Sequence, residues 1–222
     1  LTLPAAVLAL VCAALPTAGQ SFQPKSVKFT GAPDYADTEL LSAAELKAGA
    51  DLSYAEMNNR AQKLLDSGVF SAVSFKFDGQ DLTFQLTPAS GMLPIRLQNL
   101  PIAHGKDLDE KVHRQFPLYH GLVPERGGLT ESVRSALEEM LEAQGIKATV
   151  AAMLFRNGAT DKAEAVNFSI TAPPVVVGEI RTEGTIVMLD PKVSAILAKF
   201  SGAAYDAEGS IKQIETDLDA YY

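Results

Sequence analysis

Two hydrophobic periods alternate along the chain. Between Ser53 and Gly68, the apolar residues Tyr54, Met57, Ala61, Leu64 and Leu65 recur at helical spacing, which predicts an amphipathic helix closed by the glycine. Glu56 stands three residues after Ser53, the capping-box spacing that satisfies two orphan backbone donors. After Gly68 the period falls to two. Val73, Phe75 and Phe77 oppose Ser74 and Lys76, and Leu82, Phe84 and Leu86 oppose Thr83, Gln85 and Thr87, so two half-buried strands are expected. Asp78-Gly79 supplies the turn that makes them a hairpin. Upstream, Ser26 to Thr30 reads as a strand ending at Gly31, and a first helix is expected from Asp37, as N-cap, to about Lys47. The unit is strand, helix, helix, strand, strand.

The same order returns downstream. A strand is expected from Ile95 to Leu100, then a helix opened by the capping pair Asp107 and Glu110, then a loop through Pro117, Gly121, Pro124, Gly127 and Gly128. The next helix carries Val133, Leu137, Met140 and Leu141 and stops at Gly145. Strands Lys147 to Phe155 and Ala163 to Thr171, joined through Asn157-Gly158, complete a second unit. A third begins with a strand Val175 to Glu183 ending at Gly184. It continues with Asp190-Pro191 as cap and first turn of a helix, and with a second helix from about Asp206 bearing Ile211, Ile214, Leu218 and Tyr221. A repeat of roughly seventy to eighty-five residues is too long for a solenoid of small repeats and reads as small domains in tandem.

Residues Leu1 to Gln20 carry no charge. An apolar run from Val7 to Leu15 leads into Pro16, Thr17, Ala18 and Gly19, the h-region and small-residue exit of a secretory signal. The run is too short to span a bilayer. Cys12, the only cysteine, lies inside it and poorly matches a lipoprotein signal, so export is expected to leave no thiol and no disulfide. The absence of an initiator Met suggests a fragment. The expected organisation is a signal peptide over 1–20, repeats over 21–90 and 91–173, and the start of a third over 174–222. The chain of 222 residues has a formal net charge of -8, which offers no counterion-release term, so nucleic acid is not an expected partner.

The order of short motifs resembles the POTRA (polypeptide-transport-associated) domains of BamA-like outer-membrane assembly factors. The matching pieces are Val27-Lys28-Phe29-Thr30-Gly31, Leu41-Ser42-Ala43-Ala44-Glu45-Leu46, Leu64-Leu65-Asp66-Ser67-Gly68-Val69-Phe70 with its hairpin, the segment Pro174 to Gly184 and the final Leu218-Asp219-Ala220-Tyr221-Tyr222. The middle unit departs from the family pattern, with Asn99-Leu100-Pro101 in place of a glycine and a long loop from Pro117 to Gly128. The resemblance implies an α+β fold of tandem units, each a three-stranded mixed sheet in the order 1-3-2 covered by two helices. The first and third strands are parallel and the second is an edge. It also implies a periplasmic location and a β-barrel beyond Tyr222. The partners it implies are unfolded outer-membrane protein segments and accessory assembly subunits. A two-partner secretion transporter, or a periplasmic scaffold without a barrel, are the alternatives.

No catalytic constellation is legible. Phosphate loops, nucleophile elbows and nucleophile–His patterns do not occur. His104, His113 and His120 lack a tight ligand pair and an accompanying cysteine or carboxylate cluster, so they read as surface or loop side chains, and no metal or cofactor is expected. The candidate site is instead the free edge of each second strand, at Ser71, Val73, Phe75 and Phe77 in the first unit and Thr149, Ala151, Met153 and Phe155 in the second. An edge presents unpaired backbone groups to an extended partner. Ala151 is expected to supply an edge donor. With Val150, Ala152 and Leu154 facing the helices, Ala151, Met153 and Phe155 face outward, whereas a one-residue slip would make them core.

Overall fold

The computed structural model describes residues 21–47, 49–181, 190–206 and 209–221. The expected signal segment over 1–20 and the Gly184 landmark lie outside the described residues.

Three strands make the first sheet: β2 (Ser26–Thr30), β4 (Phe70–Phe77) and β5 (Asp81–Pro88). A two-residue strand, β1 (Ser21–Phe22), pairs antiparallel with β3 (Leu52–Ser53) beside it. The sheet order is β2-β5-β4, with β2 parallel to β5 and β4 antiparallel to it, which is the 1-3-2 arrangement. Helices α1 (Asp37–Ala43) and α2 (Tyr54–Asp66) form the crossover between β2 and β4. Such a connection is needed because parallel strands cannot be joined by a tight turn. Leu40, Met57, Leu64, Leu82 and Phe84 are buried between helices and sheet, each side chain worth about 1.5 to 3 kcal/mol of transfer free energy.

Side-chain caps set the starts of α2 (Tyr54–Asp66) and of a later helix at Asp190. Ser53 Oγ accepts the Glu56 amide at 3.2 Å, and Glu56 Oε2 accepts the Ser53 amide at 2.7 Å, so the expected capping box is formed. Helix α1 differs from expectation. Its N-cap is Ala36, whose amide donates to Glu39 Oε2 at 2.8 Å, and Asp37 is the first helical residue. In the hairpin, Asp78 Oδ1 accepts the amides of Gln80 and Asp81, at 3.0 and 2.8 Å, and closes the turn.

The second sheet holds β6 (Met92–Leu97), β7 (Leu122–Pro124), β8 (Thr149–Arg156) and β9 (Ala163–Ala172) in the order β7-β6-β9-β8. Helices α3 (Lys106–Gln115) and α4 (Gly128–Ala143) cross over between β6 and β8. Three expectations are corrected here. Strand β6 runs Met92–Leu97 rather than Ile95 to Leu100, because Asn99 turns its side chain back to bond the Ile170 amide at 2.6 Å and the Ile170 carbonyl at 3.0 Å. Asp107 and Glu110 do not cap α3, whose N-cap is Gly105. The loop from Pro117 to Gly128 contains a strand, β7, which pairs antiparallel with β6 and makes the second sheet four-stranded.

The atypical loop also joins the units. The Leu129 amide donates to the Ser67 carbonyl at 3.0 Å across the boundary. Gly68 and Gly127 meet back to back: a Cβ on Gly68, at φ +79°, would stand 2.5 Å from the Arg126 carbonyl oxygen, and one on Gly127, at φ +144°, 2.6 Å from that of Ser67. Only glycines tolerate both the approach and the backbone angles. One continuous apolar core runs through both units.

In the third region, α5 (Pro191–Ala198) starts where expected, with Asp190 Oδ1 accepting the Lys192 amide at 2.8 Å. Helix α6 (Gly209–Asp219) follows, with no buried residue and with Ile211 exposed. The expected strand Val175 to Glu183 is not formed over its described residues. They make only a bridge from Val176 to Ala204, as the amides of Gly202 and Tyr205 donate to the carbonyls of Val177 and Val175. Among the described residues no helix is long and apolar enough to cross a membrane.

Candidate functional site: two free sheet edges

Both β4 and β8 lie at the end of a sheet, each hydrogen-bonded to a neighbour on one side only. Which backbone groups they offer follows from the ladder. In antiparallel pairs, opposed residues alternate between exchanging both hydrogen bonds and exchanging none, and the latter turn their backbone groups away from each other. Phe84 of β5 turns its carbonyl toward β2, where Thr30 Oγ1 donates to it at 3.3 Å. Its partner Phe75 therefore belongs to an unbonded pair, and Val73, Phe75 and Phe77 present amide and carbonyl groups to the open edge. Their side chains are half-buried against the helices. Tyr54, exposed at the start of α2, packs on Phe75 with centroids 5.3 Å apart, and Phe22 packs on Phe77 at 5.1 Å. Ser71 differs, because it sits at the bulge between Phe70 and Ala72 with its hydroxyl turned back on the Thr87 and Pro88 carbonyls.

The parity of β8 is fixed by three bonds. The Val150 amide donates to Glu138 Oε1 at 2.8 Å, away from β9. Across the ladder, Ile170 sends its amide to Asn99, and Phe168 accepts from the Gln98 amide at 3.1 Å, both toward β6. Val150↔Ile170 and Ala152↔Phe168 are thus unbonded pairs, and the open-edge amides are those of Ala152 and Leu154. This corrects the expected donor. Ala151, Met153 and Phe155 turn their backbone groups inward to β9. Their side chains do face away from the helices: Met153 is 55% and Phe155 41% exposed, while Val150 is buried. Thr149 is exposed beside the bulge at the start of the strand, its carbonyl accepting Thr171 Oγ1.

The outer faces of the two edges differ in chemistry. On the first sheet, Ser74, Lys76 and Gln85 are exposed and polar. On the second, Arg96 stacks over Phe155 with its guanidinium carbon 4.4 Å from the ring centroid, a cation–π contact that holds the ring. Phe155, Arg96 and Asn167 line one wall of a cleft whose other wall includes Asp206 and Lys212. Glu138 both closes the Val150 end of the edge and pairs with Arg134 at 2.9 Å.

A separate cluster lies where the two units meet. Glu39 Oε1 stands 3.3 Å from His113 Nε2 and 3.2 Å from His120 Nε2. The sequence reading placed these histidines in loops or on the surface, because their carboxylate partner comes from the preceding unit. His104 takes no part.

No protein-family model matches the chain, and no curated protein sequence matches it significantly. Solved structures do. POTRA1-2 of the periplasmic domain of Omp85 from Anabaena matches 70% of the chain and 97% of its own length, at 14% identity and a TM-score of 0.31. The N-terminal domain of Omp85 from the thermophilic cyanobacterium Thermosynechococcus elongatus covers 91% of the chain and 87% of its own length, at 14% identity and a TM-score of 0.34. POTRA3-5 of BamA from Haemophilus influenzae covers 94% and 89%, at 16% identity and a TM-score of 0.31. The similarity is to POTRA domains of Omp85 and BamA, and it is one of α+β fold.

Proposed function

We propose that the chain is a periplasmic polypeptide-binding segment of an outer-membrane protein assembly or transport factor, and that it takes extended client segments onto β4 and β8 by strand addition. The reading assigns it no catalytic step. The observation that carries it is the recurrence of a strand with one open edge at the same topological place in two successive units, one beside the Tyr54–Phe75 ring contact and the other beside exposed Met153 and Phe155. Main-chain pairing is indifferent to sequence, whereas alternate side-chain contacts select apolar partners. Outer-membrane strands alternate in this way. The outer-membrane barrel in the full-length protein and accessory subunits complete this reading.

Affinity follows from the same geometry. About four backbone bonds at roughly 0.5 to 1.5 kcal/mol each give a gross gain of a few kcal/mol, which must offset the ordering of the client. Binding is weak and reversible, as a hand-over requires. The test is a pair of proline variants titrated with an extended outer-membrane-protein peptide. Ala152→Pro removes an open-edge donor and is expected to weaken binding while the fold persists. Ala151→Pro removes a ladder bond to β9 and is expected to lower the melting temperature instead. Unchanged binding by a folded Ala152→Pro variant would rule out β8 as the docking edge.

A further inference from the structure

Glu39 lies in the first turn of α1, and His113 in the last turn of α3. His120 follows in the loop that leads to β7. One ligand atom from each of the three residues lies within 4.8 Å of those of the other two. The carboxylate oxygen is 3.3 Å from one imidazole nitrogen and 3.2 Å from the other. A tetrahedral zinc ion with ligands at about 2.0 to 2.1 Å separates them by roughly 3.3 Å. Two edges of such a tetrahedron are already in place.

Neighbouring groups position all three side chains. His113 Nδ1 lies 2.8 Å from the Tyr119 carbonyl oxygen. A carbonyl only accepts, so Nδ1 carries a proton, and Nε2 is the ring nitrogen that faces Glu39. This is the backbone-to-histidine bond that ordinarily orients a metal ligand. Tyr119 is itself fixed, being fully buried with its hydroxyl donating to Asp109 Oδ1 at 2.7 Å. The other oxygen of Glu39 is held by the Ala36 amide. His120 packs between the rings of Tyr35, at 4.8 Å, and His113, at 5.2 Å.

We propose that Glu39, His113 and His120 bind one divalent transition-metal ion of the zinc class at the joint between the first two units. Two imidazoles and a carboxylate favour zinc over calcium or magnesium, which prefer all-oxygen shells. A fourth position stays open to water. Because Glu39 belongs to one unit and both histidines to the next, the ion clamps their relative orientation and so the placement of the two client-binding edges.

The test is calorimetric titration of the whole chain, freed of metal by a chelator, with zinc chloride. The set includes the wild type, Glu39→Gln, His120→Ala and, as a control, His104→Ala. Glu39→Gln keeps an acceptor for the Ala36 amide and so separates ligand loss from fold loss. The expected result is one equivalent of zinc, bound at least about tenfold more weakly by Glu39→Gln and by His120→Ala but unchanged in His104→Ala. Cobalt(II) is expected to give the visible absorption of a tetrahedral site in the wild type and the control only, and zinc is expected to raise their melting temperature. No zinc uptake, or uptake equal in all four proteins, would overturn the assignment and leave the trio as a hydrogen-bonded contact.

Discussion

At Ser53 one hydroxyl decides where a helix starts and a short strand ends. It accepts the Glu56 amide, and Glu56 Oε2 accepts both the Ser53 amide and the Ser53 hydroxyl; these two bonds to the carboxylate, the amide first, hold it below its ordinary range. Ser53→Ala is expected to cost about 1 kcal/mol at neutral pH, measured by urea unfolding. A carboxyl whose folded pKa is lowered contributes stability above the unfolded value and loses it as pH falls through the folded one. The gap between wild type and Ser53→Ala should therefore narrow as the solution is acidified below the usual carboxylate range. A gap independent of pH would show that the hydroxyl's bond to the Glu56 carboxylate is idle, since Ser53→Ala keeps the backbone amide that the carboxylate accepts. This cap was legible because both partners are three residues apart in sequence. Glu39 with His113 and His120 was not, since nothing local records that an N-terminal turn of one unit meets the last turn of a helix in the next.

Among the elements, the sequence locates strands with clean alternation within a residue or two, and it orders the longer elements of the first two units, but not the short β1, β3 and β7. Val73, Phe75 and Phe77 show why: their period of two is set by the core behind them. What alternation does not reveal is which side of the strand each amide faces. That depends on the register with the neighbour, and it reassigns the open-edge donors of β8 from Ala151 to Ala152 and Leu154. Strand β7 was hidden for a related reason. Three residues carry no detectable period, and β7 exists because β6 offers it a free side. The expected strand at Val175 failed in the opposite way: its apolar residues read as a strand, but their backbone groups pair with the 202–205 turn.

At the scale of the whole molecule, the joint between the units determines how the two edges are presented. Its tightest contact is glycine on glycine at Gly68 and Gly127, supported by the Leu129 to Ser67 bond. Gly68→Ala should destabilise the protein by more than about 1 kcal/mol. Its melting temperature should drop further than that of Gly145→Ala, which shares a positive φ of 80° but has open space around the added carbon. Equal losses would mean that backbone strain alone acts and the joint is not close-packed.

The central claim is that extended polypeptide pairs with the open sheet edges, and amide hydrogen exchange resolved by residue tests it most directly. With a saturating extended outer-membrane-protein peptide, the amides of Ala152 and Leu154, and of Val73 and Phe75, are predicted to exchange more slowly, while those of Ala151 and Met153, already bonded to β9, stay unchanged. Binding that leaves all four edge amides exchanging at their free rates would contradict the account.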